Sequence, residues 1–226
     1  MGRRSRSIPD RWLDYKPIGE PVFGTTIVAF KVPLRLETCQ KNLPDDDQWF
    51  TPAMLLEQSP MIKTVIDLTN THRYYNPKEE FGTKGVDHVK ILVQGNGKIP
   101  PSFQIRRFFD VMDQHMEKYG DSTDALVGVH CTHGLNRTGY FVCRWMVDRL
   151  KMRPDDAIAY FNEARGHDME RVPYLNELRL VLPFIPSSPA PRRRVSYVSP
   201  LEDASYDEVP TESRYSRRIG GTRFRH

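Results

Sequence analysis

The segment between about residues 12 and 186 alternates short, β-branched or apolar runs with longer amphipathic patterns. The short runs predict strands at residues 25–32, 63–68, 86–93 and 125–129. The amphipathic patterns predict helices at residues 52–57, 103–119, 138–150, 155–165 and 172–181. Strands separated by helices in this order predict an α/β domain with a central, largely parallel sheet flanked by helices. A ligand site is then expected at the carboxyl ends of the strands.

The two ends of the chain differ in charge from this segment. Residues 1–11 hold four Arg and one Asp, a net charge of +3, and residues 187–226 hold eight Arg and five acids, again a net charge of +3. Since the whole chain carries +4, residues 12–186 carry −2. Residues 187–226 show no hydrophobic period, and such a composition cannot bury enough apolar surface to fold. We therefore predict a basic N-terminal arm (1–11), one domain (12–186) and a disordered Arg-rich tail (187–226). The basic ends suit a polyanionic partner such as nucleic acid, and they suit solubilising tails or a nuclear-import signal equally well.

The chain has three cysteines, Cys39, Cys131 and Cys143, and such a small, odd number does not suit a disulfide framework. This favours a reduced intracellular compartment. Cys143 lies on an apolar helical pattern and is predicted to be a core residue, whereas Cys39 lies in a polar loop and is given no role. No run of about 18 apolar residues predicts a membrane span. No pair of Cys or His residues has the spacing of a zinc site. We expect no membrane, no metal and no cofactor.

One loop concentrates the polar chemistry, and it follows the strand at 125–129 with the sequence HCTHGLNRTG at residues 130–139. The backbone N–H groups of a loop between a strand and a helix, and the N-terminus of that helix, favour an anion. The same positive potential lowers the pKa of Cys131, so that a thiolate forms near neutral pH. Arg137 adds a planar fork for two oxygens of a phosphoryl group. These features together predict phosphoryl transfer through a phosphocysteine.

This loop resembles the phosphate-binding loop of the cysteine phosphatase superfamily in its dual-specificity-like branch, and its inner residues are similar to those of RNA 5′-triphosphatases. Segments 65–75, 153–158 and 8–15 are similar too, so the resemblance covers about residues 8–180. It is closest to the stand-alone metazoan RNA polyphosphatases. A capping enzyme would also carry a guanylyltransferase with a Lys-x-Asp-Gly signature, which this sequence lacks. The resemblance implies the cysteine-phosphatase (dual-specificity phosphatase-like) fold and 5′-triphosphorylated RNA as the substrate.

The resemblance and the chemistry together imply roles for the loop residues. Cys131 attacks the terminal phosphorus, Arg137 and the loop N–H groups hold the equatorial oxygens, and Thr138 donates a hydrogen bond to the leaving sulfur. His130 is expected to brace the loop rather than to react. The remaining residues of the phosphate-binding set are Thr132, His133, Gly134, Leu135 and Asn136. Among these, Asn136 is expected to fix the shape of the loop, and His133 either contacts the polyphosphate or is an ordinary loop residue.

Two arginines and one carboxylate outside the loop complete the candidate site. Arg171 matches an arginine that meets phosphate in the similar subgroup, although it could also be a surface residue. Arg73 either holds a distal phosphate or pairs with Asp67. The loop at 94–100 has no acid where dual-specificity phosphatases supply an Asp, which argues against phosphoester substrates that need a proton on the leaving oxygen. Asp67 is a fallback general acid, with a structural carboxylate paired to Arg73 as the stronger alternative.

These observations predict an RNA 5′-polyphosphatase that removes the γ phosphate from 5′-triphosphorylated RNA, with removal of the β phosphate as an expected further step. The main alternative is a dual-specificity protein phosphatase acting on Tyr, Ser or Thr. A non-catalytic RNA-binding scaffold would be expected to lack Cys131 or Arg137, and both are present. The family further suggests RNA-processing or ribonucleoprotein complexes as partners, a monomer and a nuclear location. Whether the product is a 5′-diphosphate or a 5′-monophosphate is left open.

Overall fold

The computed structural model describes residues 7–181, which lie within one compact unit. The predicted tail at 187–226 lies outside the described residues. The strands are β1 (Ile18–Pro21), β2 (Ile27–Phe30), β3 (Ile62–Asp67), β4 (Asp87–Lys90) and β5 (Leu126–His130). The α-helices are α1 (Leu36–Asn42), α2 (Pro52–Gln58), α3 (Pro77–Glu80), α4 (Ser102–Tyr119), α5 (Asn136–Leu150), α6 (Pro154–Arg165) and α7 (Val172–Leu180).

The five strands form one sheet in the order β1-β2-β5-β3-β4, which is parallel except for the antiparallel edge strand β1. The predicted α/β fold with a largely parallel sheet is therefore confirmed. In the register of the sheet, Phe30, His130, Asp67 and Lys90 lie side by side in one row. This row is the carboxyl edge of the four parallel strands, and the candidate loop begins directly after it.

Alternation along the buried strands divides the core into two layers. Ile27, Ile66 and Val129 face one side of the sheet, where they pack with residues of α4, α5, α6 and α7. Val28 and Val65 face the other side, where they pack with residues of α1 and α2. Both faces of the central strands are thus buried, which explains why they read as continuous apolar runs in the sequence.

The structure differs from the sequence-based elements at several points. Strand β1 was not predicted because it contains Gly19 and Pro21, and it is tolerated as an edge strand. Gly19 has no space for a Cβ, since α6 passes directly against it at Ala164 and Arg165. Helix α1 was not predicted either, and its Cys39 is fully buried rather than part of a polar loop.

Some predicted helix boundaries are confirmed and others are wrong. Thr51 caps α2 by accepting a hydrogen bond from the N–H of Met54 at 3.3 Å, as predicted. Ser102 is wrong as a cap, because it is the first residue of α4 and the N-cap is Pro101 without a side-chain bond. Helix α5 begins at Asn136 rather than Thr138, which brings its N-terminus closer to the loop cysteine.

The predicted boundary between an arm and the domain at residue 11 is also too late. Ile8 packs on the apolar layer beside α1 and α2, and Pro9 is buried. Trp12, which is 1% exposed, donates its indole N–H to the carbonyl oxygen of Val32 at 2.9 Å. The described N-terminal residues are therefore part of the folded unit. No helix within residues 7–181 is long and apolar enough to cross a membrane.

Candidate active site

The loop that follows β5 is shaped by close packing against the end of β2. Gly134 adopts a left-handed conformation with φ of 64°, and a Cβ there would collide with the backbone of Phe30 and Lys31. Glycine is therefore required at this position for two reasons, conformation and space. The Val32 N–H donates to the Thr132 carbonyl at 3.0 Å, which ties the start of the loop to the same strand end.

Cys131 lies within this loop and is 3% exposed. Burial alone would raise the pKa of its thiol, but Arg137, the hydroxyl and N–H of Thr138 and the N–H of Leu135 together lower the pKa to about 7. A large fraction of Cys131 is therefore a thiolate at neutral pH.

Arg137 is held in a fixed orientation at the carboxyl edge of the sheet. Its Nη1 donates to the carbonyl oxygens of Leu68 at 3.1 Å and Val93 at 2.9 Å, and its Nη2 donates to the Thr132 hydroxyl at 2.8 Å. Leu68 follows β3 and Val93 follows β4, so the guanidinium is positioned by two strand ends that are distant in sequence. A preorganised fork of this kind favours the transition state because it needs no rearrangement during the reaction.

A second arginine, which the sequence analysis did not single out, supports the loop from below. Arg165 is fully buried at the end of α6, and it donates to the carbonyl oxygens of Gly134 at 3.0 Å, His133 at 3.1 Å and Lys16 at 2.7 Å. Binding the loop carbonyls on this side helps the loop N–H groups to face the cysteine. Burial lowers the pKa of Arg165 to about 10, so the group is still charged at neutral pH.

These residues surround an open cavity of about 290 Å³. Three arginines line it, Arg73, Arg137 and Arg171, and the single carboxylate among its lining residues is Asp10. The loop residues in the wall are Cys131, Thr132, His133 and Asn136, and the remaining wall residues are Pro9, Tyr74, Gly95, Asn96, Gly97 and Tyr174. The cavity is therefore strongly cationic and suits a ligand with several negative charges.

Asp67 lies behind this cavity and not in its wall. Its Oδ2 accepts from Nζ of Lys90 at 2.8 Å and lies 3.0 Å from the Tyr75 hydroxyl, while its Oδ1 accepts from the N–H of Thr69 at 2.8 Å. Burial would raise the pKa of Asp67, but the neighbouring His130 and Lys90 and these hydrogen bonds lower it to about 2. A carboxyl group with this pKa holds no proton at neutral pH, so the structure contradicts the prediction that Asp67 is a general acid. Its expected pairing with Arg73 is wrong as well, because its partner is Lys90.

His130 is completely buried and connects this carboxylate to the catalytic loop. Its Nδ1 lies 3.0 Å from the carbonyl oxygen of Cys131 and its Nε2 lies 2.7 Å from the Tyr75 hydroxyl. Burial lowers the pKa of His130. Lys90, with its Nζ 2.8 Å from Oδ2, is the nearer counter-charge of Asp67, since Nε2 of His130 lies 3.7 Å from Oδ1. The geometry is that of a brace for the loop backbone.

The structure separates the roles of His133 and Asn136. His133 lines the cavity, but its Nε2–H donates to the carbonyl oxygen of Asp10 at 2.7 Å and so holds the N-terminal segment in the wall. Asn136 does not shape its own loop as expected. Its Oδ1 accepts from the N–H groups of Glu170 at 2.8 Å and Arg171 at 2.7 Å, which belong to the connection between α6 and α7.

The two arginines predicted outside the loop both reach the cavity wall. Arg73 stacks on the Tyr74 ring, with its guanidinium carbon 4.8 Å from the ring centroid, and donates to the Tyr74 hydroxyl at 3.1 Å. Arg171 is exposed and lies at the start of α7. Cys143, in contrast, is fully buried in the core as predicted, and it donates to the Ala157 carbonyl at 3.4 Å. Within residues 7–181 no group of three His, Cys, Asp or Glu side chains is placed to hold a metal ion.

The low pKa of Cys131 makes a testable prediction about its reactivity. We expect iodoacetamide to alkylate Cys131 with a rate that rises with pH and reaches half of its maximum near pH 7, because the thiolate is the nucleophile. Replacement of Thr138 by valine removes the hydroxyl at nearly constant volume and should move the midpoint to higher pH. Peptide mapping of the alkylated protein measures both effects.

The other two cysteines are internal controls for this experiment. Burial raises the pKa of both the Cys39 and the Cys143 thiols, so neither should react in the folded protein near pH 7. A Cys131 that reacts only at the pH of an ordinary thiol would contradict the electrostatic account of the site.

Comparisons with known proteins identify the family of this chain. Residues 51–181 match the family described as "Dual specificity phosphatase, catalytic domain". The RNA/RNP complex-1-interacting phosphatase of Rattus norvegicus is 43% identical over 176 residues, which cover 76% of this chain and 52% of the relative. The chain thus spans about half the length of that relative. The tyrosine-protein phosphatase of Autographa californica nuclear polyhedrosis virus is 39% identical over 170 residues, which cover 75% of this chain and 98% of the viral protein.

A solved structure shows the same fold at low sequence identity. The crystal structure of PTPMT1 in complex with PI(5)P has a TM-score of 0.52 and 17% identity, and the match covers 74% of this chain and 92% of that chain. The family match includes the whole candidate loop, with Cys131 and Arg137. The chain therefore belongs to the dual-specificity phosphatase family.

Proposed function

We propose that this protein is an RNA 5′-triphosphatase, which hydrolyses the γ and then the β phosphoanhydride bond of 5′-triphosphorylated RNA through a phosphocysteine. The observation that carries the proposal is the lining of the cavity, which includes three arginines and one carboxylate. Arg137 and the loop N–H groups bind the terminal phosphate. Arg73 and Arg171 are then available for further phosphates of the same chain.

The first chemical step follows from the position of the thiolate. Sγ of Cys131 attacks the terminal phosphorus, an S–P bond forms, and the bond from phosphorus to the bridging oxygen breaks with its electron pair going to that oxygen. Arg137 and the loop N–H groups stabilise the equatorial oxygens while charge builds on them. The products of this step are a phosphocysteine and an RNA with one phosphate fewer.

The second step regenerates the enzyme. Water attacks the phosphorus of the phosphocysteine, the P–S bond breaks, and orthophosphate leaves with the water oxygen while its proton passes to solvent or phosphate. The sulfur departs as a thiolate, which the hydroxyl and N–H of Thr138 stabilise as they lower its pKa. Every group used in the two steps belongs to the loop or to the first turn of α5.

The supply of protons supports an anhydride rather than an ester as the substrate. The loop at 94–100, which faces the cavity through Gly95, Asn96 and Gly97, carries no acid. Asp67 is ionised and lies behind the site. A phosphate leaving group is weakly basic and departs without a proton, whereas a Tyr, Ser or Thr oxygen needs general-acid assistance. The loop expected to supply the acid for protein dephosphorylation therefore carries none, and the one carboxylate among the lining residues of the cavity, Asp10, belongs to the N-terminal segment.

The second candidate is a dual-specificity protein phosphatase acting on Tyr, Ser or Thr. The observation in its favour is that the viral relative, which this chain matches over almost its full length, is named a tyrosine-protein phosphatase. The name of the rat relative refers to an RNA/RNP complex and supports the first candidate. RNA-processing or ribonucleoprotein complexes as partners, a monomeric state and a nuclear location belong to the same proposal.

One assay separates the two candidates and also tests the need for a metal. RNA labelled at the γ phosphate and a phosphotyrosine peptide are incubated with the protein in the presence of a chelator, and released phosphate is measured. We expect kcat/KM to be larger on the RNA and unchanged by the chelator, because Arg137 and N–H groups hold the phosphate. Preference for the peptide would contradict the RNA substrate, and loss of RNA hydrolysis in chelator, restored by Mg²⁺, would contradict the thiolate mechanism.

A further inference from the structure

The connection between α6 and α7 delivers Arg171 to the cavity, and its backbone is tied to the catalytic helix. Asn136, the first residue of α5, accepts from two consecutive N–H groups of the connection, at Glu170 and Arg171. A single side-chain oxygen thus fixes the backbone of Arg171 relative to Arg137, which is the next residue of the same helix. The two contacts join Asn136 to residues that lie 34 and 35 positions away in sequence.

A second tie reaches the same connection from the N-terminal segment. The Glu170 carboxylate accepts from Nη1 of Arg11 at 3.2 Å, from Nη2 of Arg11 at 3.0 Å and from the Tyr15 hydroxyl at 3.0 Å. The Tyr15 side chain is 6% exposed and packs beside the His133 ring, with a centroid distance of 5.1 Å, so its hydroxyl is a rigid anchor. Since His133 also binds Asp10, the N-terminal segment contacts both the catalytic loop and the Arg171 connection.

Charge gives the Arg11 contact a second effect. The hydrogen bonds from Arg11 lower the pKa of Glu170, so this carboxylate is ionised beside a residue that faces an anionic ligand. Without a counter-charge, Glu170 would repel phosphate and attract the guanidinium of Arg171 away from the cavity. Arg11 occupies the carboxylate on both oxygens and leaves Arg171 available.

We propose that Asn136, Arg11 and Tyr15 are positioning residues that clamp the Arg171 connection, and that this clamp sets the preference of the cavity for a chain of phosphates over a single phosphate. The proposal rests on the proposed function for its natural substrate, but the binding preference can be measured without RNA. An exposed arginine on an untied connection would lose more side-chain and backbone freedom when it binds. Fixing its backbone beforehand removes part of that cost.

The experiment measures binding of orthophosphate and tripolyphosphate to the Cys131→Ser protein by titration calorimetry. We expect tripolyphosphate to bind more tightly than orthophosphate. Adding Arg11→Gln together with Tyr15→Phe, or adding Asn136→Ala, should weaken the binding of tripolyphosphate by about fivefold or more. The ratio of the tripolyphosphate affinity to the orthophosphate affinity should fall by the same factor. Arg171→Ala should do the same. Equal losses for both ligands, or a ratio that changes by less than about twofold, would overturn the clamp.

Two further comparisons separate positioning from simple structural damage. If the clamp acts through Arg171, the Arg11 and Tyr15 changes should weaken tripolyphosphate binding much less in the Arg171→Ala background, where only repulsion by Glu170 is left, and fully additive losses would overturn the proposal. Arg179→Gln is the matched control, because Arg179 is an exposed arginine of α7 that donates to Asp155 at 2.8 Å and does not line the cavity. Thermal unfolding of each variant identifies those that fail to fold, and Arg11→Lys, which keeps the charge, should retain part of the preference.

The outcome for the clamp is distinct from the outcome for the proposed function. If the wild-type protein releases no phosphate from triphosphorylated RNA, the RNA substrate is wrong, yet the calorimetry still decides whether the clamp favours a phosphate chain. If RNA is hydrolysed but the ratio of affinities does not respond to the clamp variants, the proposed function stands and the clamp is wrong. The KM for a triphosphorylated dinucleotide should rise in the Arg11→Gln, Tyr15→Phe variant while kcat stays within about twofold.

Discussion

Replacement of Cys131 by serine is expected to lower phosphate release by about four orders of magnitude or more, which is the scale on which loss of a nucleophile acts in other covalent enzymes. A serine hydroxyl keeps the shape of the loop, but at neutral pH it is a far poorer nucleophile than a thiol whose pKa is about 7. Binding should survive, because Arg137 and the loop N–H groups are unchanged. Steady-state release from triphosphorylated RNA and calorimetric binding of tripolyphosphate test the two halves of this prediction.

Cys143→Ser is the matched control for this change. Cys143 lies on α5 outside the cavity, and a serine hydroxyl there can still donate to the Ala157 carbonyl that now accepts from the thiol. We expect near-normal turnover from this variant once it is folded. Substantial turnover by the Cys131→Ser protein would mean that the thiolate is not the nucleophile, and the proposed mechanism would fall with it.

Replacement of Arg137 should have the second largest effect. We expect Arg137→Ala to lower kcat/KM by about 10³-fold, because a preorganised donor pair is lost where transition-state charge develops. Arg137→Lys should recover little of this, since an ammonium group cannot reproduce the three hydrogen bonds to Leu68, Val93 and Thr132 and still present a fork to phosphate. Steady-state kinetics on a triphosphorylated dinucleotide give the magnitude.

Replacement of Arg137 should also change the pKa of Cys131, and this change is an independent measurement of the same prediction. Arg137 is the foremost group that lowers the pKa of Cys131, so its removal should move the alkylation midpoint to higher pH. Arg149→Lys is the control, because Arg149 lies near the far end of α5 and binds Asp113 at the surface. An Arg137→Ala protein with an unchanged midpoint would show that another charge lowers the pKa.

The sequence could predict those parts of the site whose residues are close together along the chain. Cys131, Arg137 and Thr138 were found because one strand, one loop and one helix turn carry them within eight residues, and local backbone geometry then brings them together. The same locality explains why the fold class was predicted. Both inferences need only the order of elements and the chemistry of one loop.

The predicted partner of Asp67 is wrong, because this contact depends on the order of strands in the sheet. Sequence offered Arg73 as the partner of Asp67 because the two are close in the chain. The structure instead puts β4 beside β3, and that register sets Lys90 directly against Asp67. Hydrophobic periodicity identifies a strand but does not say which strand is its neighbour, so this contact could not be derived from the sequence.

The sequence by itself determined the family and the residues proposed as nucleophile and phosphate-binding loop, because these depend on residues that are close together along the chain. Only the tertiary structure decided how that loop is supported and how the rest of the cavity is built. Arg165 beneath the loop carbonyls and Arg11 on Glu170 join segments that are 31 and 159 positions apart. Contacts at such separations arise from packing of the sheet and helices as a whole, and no local pattern of charge or hydrophobicity encodes them.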